Sequence, residues 1–125
     1  MIQPLLYPAT ADKPQVILDP KNNIFEFSGR SFPADAKLFY QPILNWLEDY
    51  AKNPNPETLV IMRMDYFNSS SAKRILEVIL ILSEIYKAGH IVSIEWYYQK
   101  SDEMILEMGE DLKYKIDVPI ELKPY

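Results

Sequence analysis

The chain has no cysteine, which excludes a disulfide framework, a thiolate metal site and thiol catalysis, and fits a cytosolic protein. Glycine is almost as scarce. Gly29, Gly89 and Gly109 are the only three, and none belongs to a GxGxxG or GxxxxGK(S/T) pattern, so no phosphate-cradling loop is encoded. The single histidine, His90, has no nucleophile or ligand motif around it. Directly after Gly89 it reads as a structural residue at a helix end, where its proton can meet the last carbonyls. There is no basic excess: the net charge is −5, which leaves out the broad positive footprint of a nucleic-acid binder. No apolar run approaches the ~20 residues of a membrane span. The opening Met1-Ile2-Gln3-Pro4-Leu5-Leu6 has neither the basic nor the apolar region of a signal peptide. These absences predict a cytoplasmic protein that is not an enzyme, has no cofactor or metal, and binds neither nucleic acid nor membrane.

What remains is an ordinary globular composition, 48% hydrophobic and 25% charged over 125 residues, which suits a single domain spanning 1–125. Residues 1–14 carry Pro4, Pro8 and Pro14 and no clean period, so an irregular N-terminal arm is expected. Gln15–Asp19 and Ile24–Ser28 alternate as strands around the turn Pro20-Lys21-Asn22-Asn23, where proline fixes φ and asparagine tolerates φ > 0. A helix is expected from near Asp35 to about Lys52, with Pro42 fitting only in a first turn or at a kink, and Asn53-Pro54-Asn55-Pro56 stopping it.

Thr58–Met64 is a strong strand. A long helix over about Ser71–Ala88 ends at Gly89, a residue type suited to a left-handed position past a helix end. His90–Tyr98 is the next strand, Ser101 is placed to cap a third helix, and Val118–Lys123 closes the chain as a strand. The order β-β-α-β-α-β-α-β predicts a mixed sheet, its opening hairpin antiparallel and its later strands parallel. Val60, Met62 and Met64 alternate with Arg63, and Val92, Ile94 and Trp96 with Ser93 and Glu95. Strands covered on both sides would be apolar on both faces, so the helices are expected mainly on one face. An Arg63–Glu95 ion pair across the open face is compatible with this pattern.

Three features leave alternatives open. Asp102, Glu103, Glu107, Glu110 and Asp111 crowd one segment, as a solvated helix face or as a dock for a basic partner; the spacing is not that of a calcium loop. Trp96-Tyr97-Tyr98 reads as a strand end packed into the core and its rim, or as a base-stacking platform. In the long helix Ala72, Ile75, Ile79, Leu82 and Tyr86 form one stripe that Val78 and Ile85 widen, while Leu80 and Ile81 lie outside it. A helix on a sheet needs only ~100° of apolar arc, so the surplus is buried by a neighbouring helix or offered to a partner. Separately, Tyr66, Phe67, Lys73, Arg74 and Glu77 make up a candidate partner surface at the head of this helix.

The most unusual stretch is Tyr66-Phe67-Asn68-Ser69-Ser70-Ser71-Ala72-Lys73. A serine can cap the helix for ~1 kcal/mol, and Ser70 or Ser71 is expected to do so, with Asn68 in the same switch loop. One cap leaves hydroxyls over, at the carboxyl end of a parallel strand, where ligands and modifications act in open α/β sheets. A phosphate there would meet free N–H groups and the positive end of a long helix, adding about −1.5 to −2 charge. By chemistry alone the run is a cap or a phosphoswitch.

Strand followed by Asn-Ser-Ser-Ser-Ala-x-x-Ile-Leu at 68–76 resembles the phosphorylation segment of STAS-domain anti-sigma-factor antagonists, Asp-Ser-(Ser/Thr)-Gly-Leu before a helix. Over about residues 15–122 the chain is similar to the SiaC family of regulatory phosphoproteins, a STAS-like group. The matching pieces are Phe25-Glu26-Phe27-Ser28-Gly29-Arg30-Ser31-Phe32-Pro33, Trp46-Leu47, the Tyr-Phe-Asn-(Ser/Thr)-Ser-Ser motif at 66–71, Ile94-Glu95-Trp96-Tyr97-Tyr98 and Gly109-Glu110-Asp111. The resemblance implies a STAS-like fold and a partner-switching role. It implies phosphorylation at Ser69 by a serine/threonine kinase of the histidine-kinase-like ATPase type, reversal by a PP2C-type phosphatase, and binding of the unphosphorylated form to a diguanylate cyclase, which would link the protein to cyclic di-GMP and biofilm behaviour. The family often has Thr where Ser69 stands, and Ser71 occupies a position that STAS antagonists keep as Gly. The alternative is a small-ligand-binding STAS-like sensor without a phosphoswitch.

Overall fold

The computed structural model describes residues 2–125, and Met1 lies outside the described residues. Nine elements follow in chain order: β1 (Leu5–Tyr7), β2 (Gln15–Asp19), β3 (Ile24–Ser31), α1 (Ala36–Lys52), β4 (Glu57–Phe67), α2 (Ser69–Lys87), β5 (Ile91–Tyr98), α3 (Glu103–Lys115) and β6 (Ile120–Pro124). The six strands lie side by side in sequence order. The first three pair antiparallel and β3 to β6 pair parallel. Three right-handed crossovers stepping in one direction must leave their helices on one face. One contiguous core records this. Phe25, Phe27, Val60, Met62, Met64, Val92, Ile94 and Trp96 of the sheet are buried together with Tyr40, Leu47, Ile75, Ile79, Leu82, Ile105 and Leu112 of the three helices.

The mixed sheet and its single covered face agree with the alternation in the sequence. The start of the chain does not, because Leu5–Tyr7 forms an edge strand rather than part of an irregular arm. Leu5, Leu6 and Tyr7 pair with Leu18, Ile17 and Val16. Three residues between Pro4 and Pro8 are too few to display a period, so proline bounds this strand rather than abolishing it. The Trp46 indole N–H ties the arm down by donating to the Gln3 carbonyl at 2.7 Å.

Turn chemistry falls where expected. Asn23 has φ 56° in the β2–β3 turn, and Gly89 has φ 104° just past α2. Helix α1 begins at Ala36, with the Asp35 side chain accepting from the Leu38 N–H. Pro42 therefore sits in the helix interior rather than its first turn. It leaves the Leu38 carbonyl without its intrahelical donor, which water can replace because Leu38 is 73% exposed.

On the open face the Arg63–Glu95 pair that the alternation allowed does not form. The register sets Glu95 opposite Ile61, two residues short of Arg63. Glu95 instead approaches Lys123 at 3.4 Å and accepts from the Tyr97 hydroxyl at 3.1 Å. The Arg63 guanidinium lies over the Tyr125 ring at 4.2 Å and the Tyr97 ring at 5.4 Å. The carboxylates of Glu121 first and Glu95 second hold the Lys123 ammonium above its ordinary pKa.

Candidate functional site

Strand β4 runs out at Phe67, and Asn68 keeps an extended backbone, φ −87° and ψ 177°. That conformation, directly before the first helical residue, is what an N-cap requires. The Asn68 side-chain oxygen accepts from the Ser71 N–H at 2.9 Å, and its carbonyl accepts from the Ala72 N–H at 2.9 Å. Asn68, not Ser70 or Ser71, caps α2. Asparagine caps as well as serine. The helix therefore starts at Ser69, two residues before the expected start. Asp102, rather than Ser101, caps α3, accepting from the Ile105 N–H at 3.1 Å, and its carboxylate also suits the positive end of the helix dipole.

The three serines are thereby freed from capping and fall in three environments. Ser69 and Ser70 are exposed, while Ser71 is fully buried. The Ser71 hydroxyl accepts from Ser31 Oγ at 2.8 Å, and Ser31 Oγ lies 2.7 Å from the Tyr40 hydroxyl. A hydroxyl has one proton. Ser31 gives its own to Ser71, so Tyr40 donates to Ser31. Burial pushes the Tyr40 phenol up to about 12, against smaller lowering contributions from Ser31 and Ser71, so all three hydroxyls stay neutral across the physiological range. The Ser31 carbonyl also accepts from the Asn68 N–H at 3.1 Å. The end of β3 thus holds both the cap and the third residue of α2.

Ser69 opens onto a cleft of about 280 Å³ between the first turns of α2 and α3, lined on the α2 side by Tyr66, Phe67 and Ala72 and on the α3 side by Asp102, Met104, Ile105 and Met108. Tyr66 is 43% exposed. Its ring lies edge-on to Phe32 at 5.9 Å, with the Arg30 guanidinium 5.4 Å from both rings. Phe67 is half-buried against Trp96. Of the candidate partner surface, Tyr66 and Phe67 therefore meet Ser69. Lys73 is exposed but does not line the cleft. Arg74 is occupied by Glu77 at 2.9 Å, and Glu77 faces a separate groove with Leu44, Glu48, Leu80 and Ile81 between α1 and α2. Part of the surplus apolar arc of α2 is covered by α1, while Leu76 and Leu80 stay 37% and 47% exposed.

The α3 wall carries no strong sequence signal except Gly109. A Cβ there would meet the Trp96 ring at 2.6 Å and Leu122 at 2.8 Å, so only glycine lets α3 lie this close to the sheet. The Trp96 indole N–H donates to the Ile105 carbonyl at 2.9 Å, fixing the same helix one turn earlier. The acidic segment divides between the Asp102 cap and exposed carboxylates. Among the described residues no cluster of three or more metal-ligating side chains occurs, and no helix is long and apolar enough to cross a membrane.

A family model described as SiaC family regulatory phosphoprotein matches residues 7–125. A curated relative, an uncharacterized protein of Pseudomonas aeruginosa strain UCBPP-PA14, is 22% identical over 118 residues, covering 94% of each chain. The structure of SiaC of Pseudomonas aeruginosa matches with a TM-score of 0.89 at 20% identity, over 99% of this chain and 100% of that one. A chain in the crystal structure of the diguanylate cyclase SiaD in complex with its activator SiaC, from the same organism, matches with a TM-score of 0.89 at 22% identity, over 97% and 99%.

Proposed function

Because the chain belongs to the SiaC family of regulatory phosphoproteins, we propose that it is a cytoplasmic, non-enzymatic partner switch whose state is set by a phosphate on Ser69. The kinase is of the histidine-kinase-like ATPase type, and a PP2C-type phosphatase removes the phosphate. The unmodified form binds and activates a diguanylate cyclase, as SiaC does for SiaD in the complex described for Pseudomonas.

The observation that carries this reading is the position of Ser69. It is the first residue of α2, exposed, released from capping by Asn68, and set in the cleft beside Tyr66, Phe67 and Met104. Two first-turn N–H groups, those of Ser69 and Ser70, have no intrahelical acceptor and face a phosphate favourably, as does the helix dipole. The phosphate's charge of about −1.5 to −2 keeps the cleft mouth hydrated and opposes burial of the apolar lining by a partner. On the α3 wall Asp102 adds a like charge. No refolding is needed.

Ser69→Asp is expected to weaken cyclase binding by about tenfold or more, and Ser69→Ala to stay within about twofold of wild type. Pulldown and calorimetry with each variant test this; equal binding by both removes the switch. The apolar lining favours a second reading, a small-ligand sensor. The cleft volume of about 280 Å³ is just below the ~300–1,000 Å³ range of ligand pockets. A thermal-shift screen with nucleotides and lipids that raises the Tm would support it.

A further inference from the structure

The run Asn68-Ser69-Ser70-Ser71 offers four residues of nearly equal capping strength in succession. Each would start the helix at a different place. If Ser69 were the cap, its hydroxyl oxygen would be committed to an N–H of the first turn instead of facing the cleft. If Ser70 were the cap, Ser69 would lie outside the helix altogether. Local propensity does not choose between these starts, so something outside the run must. The buried hydroxyls are that contact. Ser71 meets Ser31 Oγ at 2.8 Å, Ser31 meets the Tyr40 hydroxyl at 2.7 Å, and Ser31, Tyr40 and Ser71 are each 0% exposed.

We propose that Tyr40, Ser31 and Ser71 form a register lock that fixes the start of α2 at Ser69 and so selects Ser69, among three adjacent serines, as the residue presented for modification. This rests on the reading of Ser69 as the phosphate acceptor. Any later start of the helix would pull Ser71 out of its third position and leave the Ser31 proton and the Tyr40 hydroxyl chain without their buried end partner, which is costly away from water. The lock draws on three elements, since Ser31 ends β3, Tyr40 comes from α1 and Ser71 from α2. It also removes Ser71 from chemistry by burying its oxygen. These three are positioning residues; none touches the incoming phosphoryl group.

The experiment compares wild type with Ser71→Ala, Ser31→Ala and Tyr40→Phe in two readouts. One is phosphate mapping by mass spectrometry during a time course with the cognate kinase and ATP. The other is hydrogen exchange at the amides of Ser71 and Ala72. Wild type is expected to carry one phosphate, on Ser69. In Ser71→Ala and Ser31→Ala the starts become nearly equal, so the rate at Ser69 falls about threefold and phosphate appears on Ser70, while exchange at both amides speeds up about tenfold, the size of one lost buried hydrogen bond. Tyr40→Phe keeps the Ser31–Ser71 bond and shows a smaller change of the same kind. A protein merely destabilised elsewhere would slow without redistributing the phosphate. Single-site labelling at the wild-type rate with unchanged exchange in both alanine variants overturns the lock. Wild type unmodified at Ser69 overturns the functional reading instead, and amide exchange then judges the lock alone. If Ser31→Ala does not fold, Ser71→Ala decides, because it leaves one buried hydroxyl without its partner instead of two.

Discussion

Helices α2 and α3 both begin at the cleft, and both are capped by a short side-chain carbonyl or carboxylate, Asn68 at 2.9 Å and Asp102 at 3.1 Å from the N–H they accept. Beyond the cap they are held by different physics. The start of α2 is tied to β3 and α1 through directional bonds among buried hydroxyls. Helix α3 is instead pressed onto Trp96 through the bare Gly109 at its middle, with one indole hydrogen bond in its first turn. Hydrogen bonds discriminate between registers, because a one-residue slip breaks them. Close apolar packing discriminates between distances, because interiors tolerate neither gaps nor overlap. One wall of the cleft therefore specifies which residue is displayed, and the other how wide the cleft is.

That contrast can be broken most forcefully on the α3 side. Gly109→Val adds carbons where a Cβ already comes within 2.6 Å of the Trp96 ring. The expected cost is about 3 kcal/mol in urea unfolding, at the upper end of overpacking penalties and larger than the roughly 0.3–0.5 kcal/mol gained in helix propensity on going from glycine to valine. A loss below about 1 kcal/mol would mean that α3 can lift freely from the sheet.

The hydroxyl side is probed by alkali. The Tyr40 pKa is raised in the fold to about 12 from an ordinary 10.0. The folded state therefore favours the protonated phenol. That contribution is complete below pH 10 and is lost as pH rises from 10 through 12. About 2–3 kcal/mol of stability should disappear over this window. In Tyr40→Phe this part of the decline should be missing, and an unchanged curve would contradict the buried relay. The smallest effects belong to the caps. Asn68→Ala and Asp102→Ala should each cost ~1 kcal/mol. Because the two walls are held independently, the double variant should be additive within ~0.5 kcal/mol; a larger coupling would join the walls into one unit.

Much of the sheet was legible in the sequence. Val60, Met62 and Met64 alternating with Arg63 identified a covered and an open face, and Asn23 and Gly89 marked backbone that must turn. Ser69 could be singled out by chemistry joined to family resemblance. The cap could not, since Asn68 and three serines are nearly equivalent locally and a tertiary contact decides among them. Ser31 and Tyr40 gave no sign either, being 40 and 31 residues before Ser71, far beyond any local pattern. The α3 wall depended on packing, for which Gly109, one of three glycines, was the only clue. Arg63 and Glu95 share a face, but a register offset of two residues keeps them apart.

The two outer strands carry one further consequence. At one border β1 has three residues between Pro4 and Pro8; at the other β6 follows Pro119 and ends in Pro124. Proline offers no N–H for an added strand, and short borders give such a strand little to grip. The backbone rims are thus poor templates for β-augmentation or for sheet-to-sheet stacking. A partner is left to recognise side chains on the helical layer and its cleft, where a single added charge can be felt.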